Sequence, residues 1–398
     1  MNVQTHPTQN RARGRGRAQR RAGVVIPVTV SLTVILGMGA LAVDVGRLYV
    51  VRSEMQTAAD AAALAGANRL LDEDRLKGSY AMNTVLAEAR DATVLVAQRN
   101  PVAGLGPVLN PNPGNDPAGD VVVGYLADPE NQACQLEFTN PERFNTVRAL
   151  IRRDEAHQGS IALLFARIFG YDSSNLRTAA AATFEDGVAG FRIQQPGTTV
   201  DLLPFALQKD VWDALLAGGG DDNYSYNQET RTVGCGQDGV REVNLYPGAG
   251  TGQLPPGNFG TVDIGSPNNS TCDISRQIRY GVSEADLAWH GGELVIPNEG
   301  PLPLNGDTGL SAAVKDDLEA IKGMPRMIPL FSTVAGNGNN AQYNIVAFAG
   351  VRVMYVKLTG SMSSKKVIVQ PAVVTSGAAV TRAGLANYYV YRPVMLSR

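Results

Sequence analysis

The chain begins with a basic segment that runs directly into a long uncharged stretch. Residues 1–22 contain six arginines and no acidic residue, and the 21 residues of 23–43 carry no charge. A helix of that length, at about 1.5 Å of rise per residue, covers the roughly 30 Å hydrocarbon core of a bilayer. Pro27 falls in the first turn, where a missing backbone N–H matters least. We therefore predict a transmembrane helix with Gly23 and Val43 at its ends.

The arginines fix the expected orientation of this helix. Basic residues beside a membrane span tend to stay in the cytoplasm. We therefore expect residues 1–22 to be a cytoplasmic tail and residues 44–398 to lie on the far side of a single span, with membrane lipid as a partner. The rest of the chain has 29 basic and 37 acidic residues, so it has no electrostatic reason to bind nucleic acid.

Two other readings of the N-terminus stay open. A cleaved secretory signal would be cut after Ala40-Leu41-Ala42, although its apolar run is usually only about 7–15 residues long. A type IV prepilin leader would place Glu at the fifth position after Gly23, where this chain has Val28. A retained anchor is the favoured prediction.

Periodicity predicts an α+β fold. Apolar residues recur at spacings of three and four from Val45 to Ala65, which extends the membrane helix to about residue 71. A membrane-proximal α+β domain is predicted over residues 44–192: helix 79–98, loop 100–119, strands 120–126 and 146–152, helix 161–169 and strand 178–184. A β-rich domain is predicted over residues 193–398: one helix within residues 202–216, a helix over 308–321, and strands 243–245, 259–264, 326–331, 343–355 and 365–373.

The sequence contains no catalytic or phosphate-binding motif of a familiar kind. Of its three histidines, His157 and His290 lack metal-ligand spacing, and GxSxG and GxxxxGK[ST] are absent. Residues 218–229 gather acids near glycines without the spacing of a calcium loop, and Lys357 stands where the metal-binding loop of a von Willebrand factor A domain has Asp. We predict no catalytic residue, no metal site and no cofactor.

Cysteine is scarce, and no CxxC pair occurs. The three cysteines are Cys134, Cys235 and Cys272. Such spacing does not support a zinc site or a redox motif. If the far side of the membrane is oxidising, Cys235 and Cys272 are the candidate disulfide.

The N-terminal residues resemble a known family. Basic residues, Gly23, an apolar span and the pattern AxDxGR.Y..R...Q.AADAAALAGA are similar to the N-terminal module of TadG/TadE-like proteins of the Tad (tight adherence, Flp pilus) assembly system. The residues that carry the pattern include Asp44, Gly46, Arg47, Tyr49, Gln56, Ala59, Asp60, Ala61, Ala65 and Gly66. The resemblance covers about the first 70 residues.

The resemblance implies a bacterial inner-membrane protein that takes part in pilus assembly. Its partners would be other Tad or pilus assembly proteins, contacted through the N-terminal helix. Small residues from Ala58 to Ala67 would let another helix approach closely. The leading hypothesis is a non-enzymatic, membrane-anchored component of a Tad/Flp-type pilus or secretion apparatus. The alternatives are an exported surface adhesin and an anchored hydrolase that uses the C-terminal domain; neither small-molecule substrate nor nucleic acid is expected.

Overall fold

The computed structural model of the protein describes residue 1 and residues 22–131, 133–246, 258–308, 311–361 and 364–397. The basic tail predicted at 1–22 therefore lies almost wholly outside the described residues. The α-helices are α1 Ala22–Arg69, α2 Ser79–Arg99, α3 Lys209–Leu216, α4 Thr271–Tyr280, α5 Glu284–Ala288 and α6 Lys315–Ala320.

The strands follow the same chain order. They are β1 Val121–Gly124, β2 Thr146–Arg153, β3 Ile161–Ala162, β4 Ser173–Ser174, β5 Leu176–Thr183, β6 Val188–Phe191, β7 Leu207–Gln208, β8 Tyr224–Asn227, β9 Thr232–Cys235, β10 Val243–Asn244, β11 Asn258–Val262, β12 Leu294–Val295, β13 Leu302–Thr308, β14 Pro325–Ala335, β15 Gln342–Lys357, β16 Lys366–Pro371, β17 Val374–Thr375, β18 Ala379–Thr381, β19 Val390–Tyr391 and β20 Met395–Ser397. The predicted α+β class is confirmed.

The chain folds into two compact units. The first unit comprises Met1–Glu54 and Arg152–Arg177, and the second comprises Met55–Ile151 and Thr178–Arg398. The domain limits predicted from the sequence stay predictions.

The first unit contains the N-terminal part of α1 and a short hairpin. Strands β3 and β4 pair antiparallel, with Ile161 opposite Ser174. A 3₁₀ helix, Ala166–Phe169, lies between them and ends at Gly170, whose φ of +87° suits a glycine. The helix predicted for residues 161–169 is therefore wrong: the segment begins as a strand and makes a single 3₁₀ turn, because its backbone N–H groups have an acceptor elsewhere in the unit.

In the second unit, α2 packs on a four-stranded sheet. The order of this sheet is β1-β2-β5-β20. Its last strand comes from the C-terminus, where Met395 lies opposite Thr183. The predicted helix 79–98 and the strands predicted at 120–126, 146–152 and 178–184 are confirmed within two residues at each end.

A second, larger sheet carries most of the remaining core. Its order is β10-β16-β15-β13-β11, with β14 paired to both β15 and β7. Trp212 of α3, Leu318 of α6 and Val353 of β15 belong to one apolar cluster in it. Strands β15 and β16 pair antiparallel, with Lys357 opposite Lys366.

One predicted helix is longer than the observed one. The helix predicted at 308–321 is confined to a 3₁₀ turn, Ala312–Val314, followed by α6, because residues 302–308 pair with β15 and β11 as a strand. The one helix predicted within residues 202–216 is confirmed as α3, which begins at Lys209 because residues 207–208 pair with β14. The helices α4 and α5 were not predicted.

Candidate functional site in the N-terminal helix

The N-terminal half of α1 is an exposed apolar rod. Among the described residues, one helix is long and apolar enough to cross a membrane; its most apolar 18-residue window has a mean hydropathy of 2.2 and is nowhere buried in the protein. Two hydroxyls in this half donate to carbonyls four residues earlier, Thr29 to Val25 and Thr33 to Thr29, at 2.8 and 2.9 Å. Both hydroxyls are therefore hydrogen-bonded within the helix, as an apolar surrounding requires.

Asp44 ends the uncharged stretch and is buried, with only 2% of its surface exposed. Its carboxylate accepts hydrogen bonds from the backbone N–H groups of Leu164, Phe165 and Ala166 at 2.7, 2.8 and 2.7 Å. Burial raises the pKa of Asp44, but these three hydrogen bonds and the charge of Arg47 outweigh it and lower the pKa below its usual value. The carboxylate is thus ionised at neutral pH and organises the turn after β3.

The residues that follow Asp44 in the family pattern are exposed. Arg47 donates to the Ala162 carbonyl at 3.1 Å, so two residues of the pattern hold one hairpin. A Cβ added at Gly46 would meet no atom within 4 Å, and Tyr49 is 70% exposed. Gly46 and Tyr49 are therefore available to a partner or to lipid.

Further along the helix, Gln56 and Asp60 form a local pair. The Gln56 amide donates to the Asp60 carboxylate at 2.7 Å, one turn apart. Asp60 is half-buried, and so are Ala61 and Ala65. The pair stabilises the helix modestly, as i,i+4 pairs do.

The small-residue face of α1 is buried within the second unit. Five of its alanines have no exposed surface: Ala58, Ala59, Ala62, Ala63 and Ala67. A Cβ at Gly66 would lie 2.1 Å from Thr93 Oγ1 and 3.0 Å from both the Ala89 carbonyl oxygen and a Val147 methyl. This face therefore packs closely against α2 and β2 of its own chain. It is not accessible to other proteins, so only the remaining surface of α1 can contact them.

Two acids, Asp222 of residues 218–229 and the nearby Glu242, have structural partners. Asp222 accepts from the backbone N–H groups of Asp238 and Gly239. Glu242 accepts from those of Asn223 and Tyr224 at 3.0 and 2.6 Å. Within the described parts of the chain, no group of three or more His, Cys, Asp or Glu side chains is placed to hold a metal ion. These acids order a hairpin turn.

The two histidines outside the tail lie in unlike surroundings. His157 Nδ1 is 2.6 Å from Asp154 Oδ1, and this hydrogen bond lowers the pKa of Asp154. Burial lowers the pKa of His290, which keeps its imidazole neutral at pH 7. A half-open polar cleft of about 370 Å³ lies elsewhere in the second unit, where Glu185 accepts from Thr381 and Arg392.

All three cysteines are free thiols in the structure, with Cys235 and Cys272 exposed. The Cys235–Cys272 pairing stays a prediction. Of the residues singled out in the sequence, the structure brings Asp44 and Arg47 together on the hairpin, while Gly66 lies in the protein interior. The sequence did not reveal the segment they hold, residues 162–166, because that segment is more than 110 residues away along the chain.

Comparison with known proteins identifies this helix. Residues 23–69 match a family model described as "Putative Flp pilus-assembly TadE/G-like". The match begins at the start of the apolar span and ends where α1 ends. No curated protein matches the chain, and no solved structure does.

Proposed function

We propose that this chain, whose residues 23–69 form a TadE/G-like Flp pilus-assembly domain, is a non-enzymatic anchored component of a Tad-type pilus assembly or secretion apparatus. The observation that carries the proposal is a single uninterrupted helix with two different surfaces. Its first half is apolar and exposed, and its second half is packed into a folded body. Such a helix tethers that body to a membrane and leaves the first half free to contact other proteins within the bilayer.

The proposed anchor is retained, with residues 23–43 across the inner membrane and the N-terminus in the cytoplasm. Cleavage after Ala42 would leave Asp44 as the second residue of the mature chain. Helix termini fray, and the Asp44 carboxylate must stay in place to accept three backbone hydrogen bonds. Retention of the span keeps Asp44 in the interior of a helix.

The anchor is tested by fractionation and by sequencing the mature protein. We expect the full-length chain to remain in the membrane fraction after an alkaline wash, with an intact N-terminal segment. Release into the soluble fraction, or a mature chain that begins at residue 43, contradicts the anchor.

Contact with pilus components is proposed to use the exposed side of α1. Deleting residues 44–67 is a poor test, because it removes buried alanines and would unfold the second unit. A photo-cross-linking amino acid at Tyr49 avoids this problem, since Tyr49 is 70% exposed. The matched control is the same replacement at Tyr280, which is 67% exposed.

The expected result is an adduct with a Tad component from Tyr49 in native membranes and none from Tyr280. A second probe at Ile35, which is 64% exposed in the apolar half, extends the test into the proposed span. Equal yields at Tyr49 and Tyr280, with no adduct at Ile35, would contradict a partner surface on α1.

A further inference from the structure

A second apolar feature of the first unit lies beside the end of the uncharged stretch. The hairpin of β3 and β4 carries a loop, residues 163–172, which we name the tip loop. Leu163 N–H donates to the Asp172 carbonyl at 2.9 Å, and Tyr171 N–H donates to the Ala166 carbonyl at 3.2 Å. These bonds close the tip loop into a compact turn around the 3₁₀ helix.

The tip loop is fastened to α1 directly after residue 43. Three of its backbone N–H groups, at Leu164, Phe165 and Ala166, lie within 2.8 Å of the Asp44 carboxylate. Arg47, one turn further, donates to the Ala162 carbonyl. The position of the loop along the helix is thus fixed at the level of residues 44–47.

The tip loop exposes large apolar side chains, which a protein in water would normally bury. Ile168, Phe169 and Tyr171 are 76%, 69% and 67% exposed, and Leu164 and Phe165 are exposed as well. Arg167, also exposed, lies among them. Contiguous large apolar side chains on a surface mark a site of contact with a membrane or another protein.

The position of the tip loop along the helix axis favours lipid as the contact of these side chains. Residues 44–47 lie about 1.5–6 Å beyond Val43 along the helix axis. The polar headgroup layer is roughly 5–7 Å thick on each side of the hydrocarbon core. Aromatic residues are enriched at this level, and arginines there bury their stems while the guanidinium reaches phosphates. Tyr49 and Val50 of α1 are exposed at the same end of the rod.

We propose that the tip loop inserts Leu164, Phe165, Ile168, Phe169 and Tyr171 into the outer interface of the membrane. The loop is attached to the end of the exposed apolar half of α1 by hydrogen bonds to the buried Asp44 carboxylate. The proposal rests on the anchor proposed above, since the loop reaches lipid only where residues 23–43 span the bilayer. Two segments of the chain would then contact the bilayer, the transmembrane helix and the tip loop.

Depth measurements on spin labels test this insertion. Cys134, Cys235 and Cys272 are changed to Ser in the full chain, and single labels are placed by Phe169→Cys and Tyr280→Cys. Phe169 and Tyr280 are almost equally exposed in the protein, at 69% and 67%. A third label, Ile35→Cys, reports on the span. Each variant is reconstituted into phosphatidylethanolamine–phosphatidylglycerol vesicles, and collisions with oxygen and with a soluble nickel chelate are compared.

The expected result is a severalfold higher oxygen-to-nickel collision ratio at Phe169 than at Tyr280, with Ile35 the deepest of the three. If Phe169 is as open to nickel as Tyr280 while Ile35 lies in lipid, the insertion is overturned and the anchor stands. If Ile35 is open to nickel too, the anchor itself fails. A Phe169 label that is shielded from both reagents is covered by protein, and this result overturns lipid as the occupant.

A second variant tests the fastening by Asp44. Adding Asp44→Ala to the Phe169→Cys variant removes the acceptor of three backbone N–H groups in the loop. The label at Phe169 is then expected to become more open to nickel, while the label at Ile35 keeps its depth in the same background. An unchanged Phe169 label would overturn the role assigned to Asp44 in setting the level of the loop.

Discussion

The tight contact at Gly66 gives a quantitative test of what the alanine-rich part of α1 does. Replacing Gly66 by Ala adds a Cβ that would lie 2.1 Å from Thr93 Oγ1. Thr93 is buried, and its hydroxyl already donates to the Ala89 carbonyl at 2.8 Å. The added methyl must therefore displace the threonine side chain or push the two helices apart.

The expected sign follows from two opposing contributions. Ala is preferred over Gly in a helix interior by about 1 kcal/mol. Overpacking a well-packed core costs about 1–3 kcal/mol, and a displaced Thr93 hydroxyl adds roughly 1 kcal/mol or more for its lost hydrogen bond. Gly66→Ala should thus lower the free energy of unfolding by about 1–3 kcal/mol. For a large domain this corresponds to a fall in Tm on the order of 2–6 °C.

Gly46→Ala is the matched control, because it makes the same change in the same helix where a Cβ meets no atom within 4 Å. Its Tm should equal or slightly exceed that of the wild type. Both variants are measured by thermal and urea unfolding of the full chain in detergent micelles. In the double variant Gly66→Ala/Thr93→Ala, the two destabilisations should be less than additive, because the second change removes the atom that the first one meets. A Gly66→Ala variant as stable as wild type, or strict additivity with Thr93→Ala, would refute close packing at Gly66.

Two further predictions concern charged groups of the second unit. Glu73→Gln should destabilise the protein by about 3–5 kcal/mol in urea titrations, because it leaves the buried Arg352, 2.6 Å from the Glu73 carboxylate, without its counter-charge. The control is Asp74→Asn at the neighbouring, more exposed position, which should cost about 0–1 kcal/mol. Equal losses of stability in the two variants would contradict the difference in burial. Burial raises the pKa of Asp286, but hydrogen bonds from the Arg276 side chain and from the Ser283 backbone N–H lower it overall. Its stabilisation is therefore fully present above the unfolded pKa of about 3.9 and is lost as the pH falls through the lower folded pKa. The Tm difference between wild type and Asp286→Asn should shrink as the pH is lowered below about 4, and a difference that stays constant would contradict this assignment.

The elements that could be predicted from the sequence are those whose signal is local. The apolar run and the three–four spacing after it predict α1 to within two residues, because a helix that long repeats its pattern many times. The long strand β15 follows from the length of its apolar run, which is typical of a buried sheet strand. Helices α4 and α5 also carried a local signal that was overlooked: Ser270 with Asp273, and Ser283 with Asp286, form capping boxes at their N-termini.

The tip loop could not be predicted in this way. Its first residues, 163–167, are two Leu, Phe, Ala and Arg, and Leu, Ala and Arg favour a helix by intrinsic propensity. What decides its conformation is the Asp44 carboxylate, which takes up the N–H groups of Leu164, Phe165 and Ala166 in place of helix carbonyls. Asp44 precedes them by 120 residues or more, so no window of neighbouring sequence contains the cause.

The family pattern is one continuous motif in the sequence, but its two parts place different physical requirements on their side chains. Around Asp44 and Arg47 the pattern needs side chains that hydrogen-bond to the hairpin. Side-chain volume is not restricted there, since Gly46 faces open space. Around Ala62 and Gly66 the demand is for small volume, since these positions lie in the interior. An enlarging substitution should therefore have different effects on stability in the two halves of one helix. Val34→Leu, at a position 56% exposed, should leave stability unchanged, whereas Ala62→Leu should lower it by at least the roughly 1–3 kcal/mol of an overpacked core. Equal effects in the same unfolding assay would mean that the alanine face is not packed as tightly as its burial indicates.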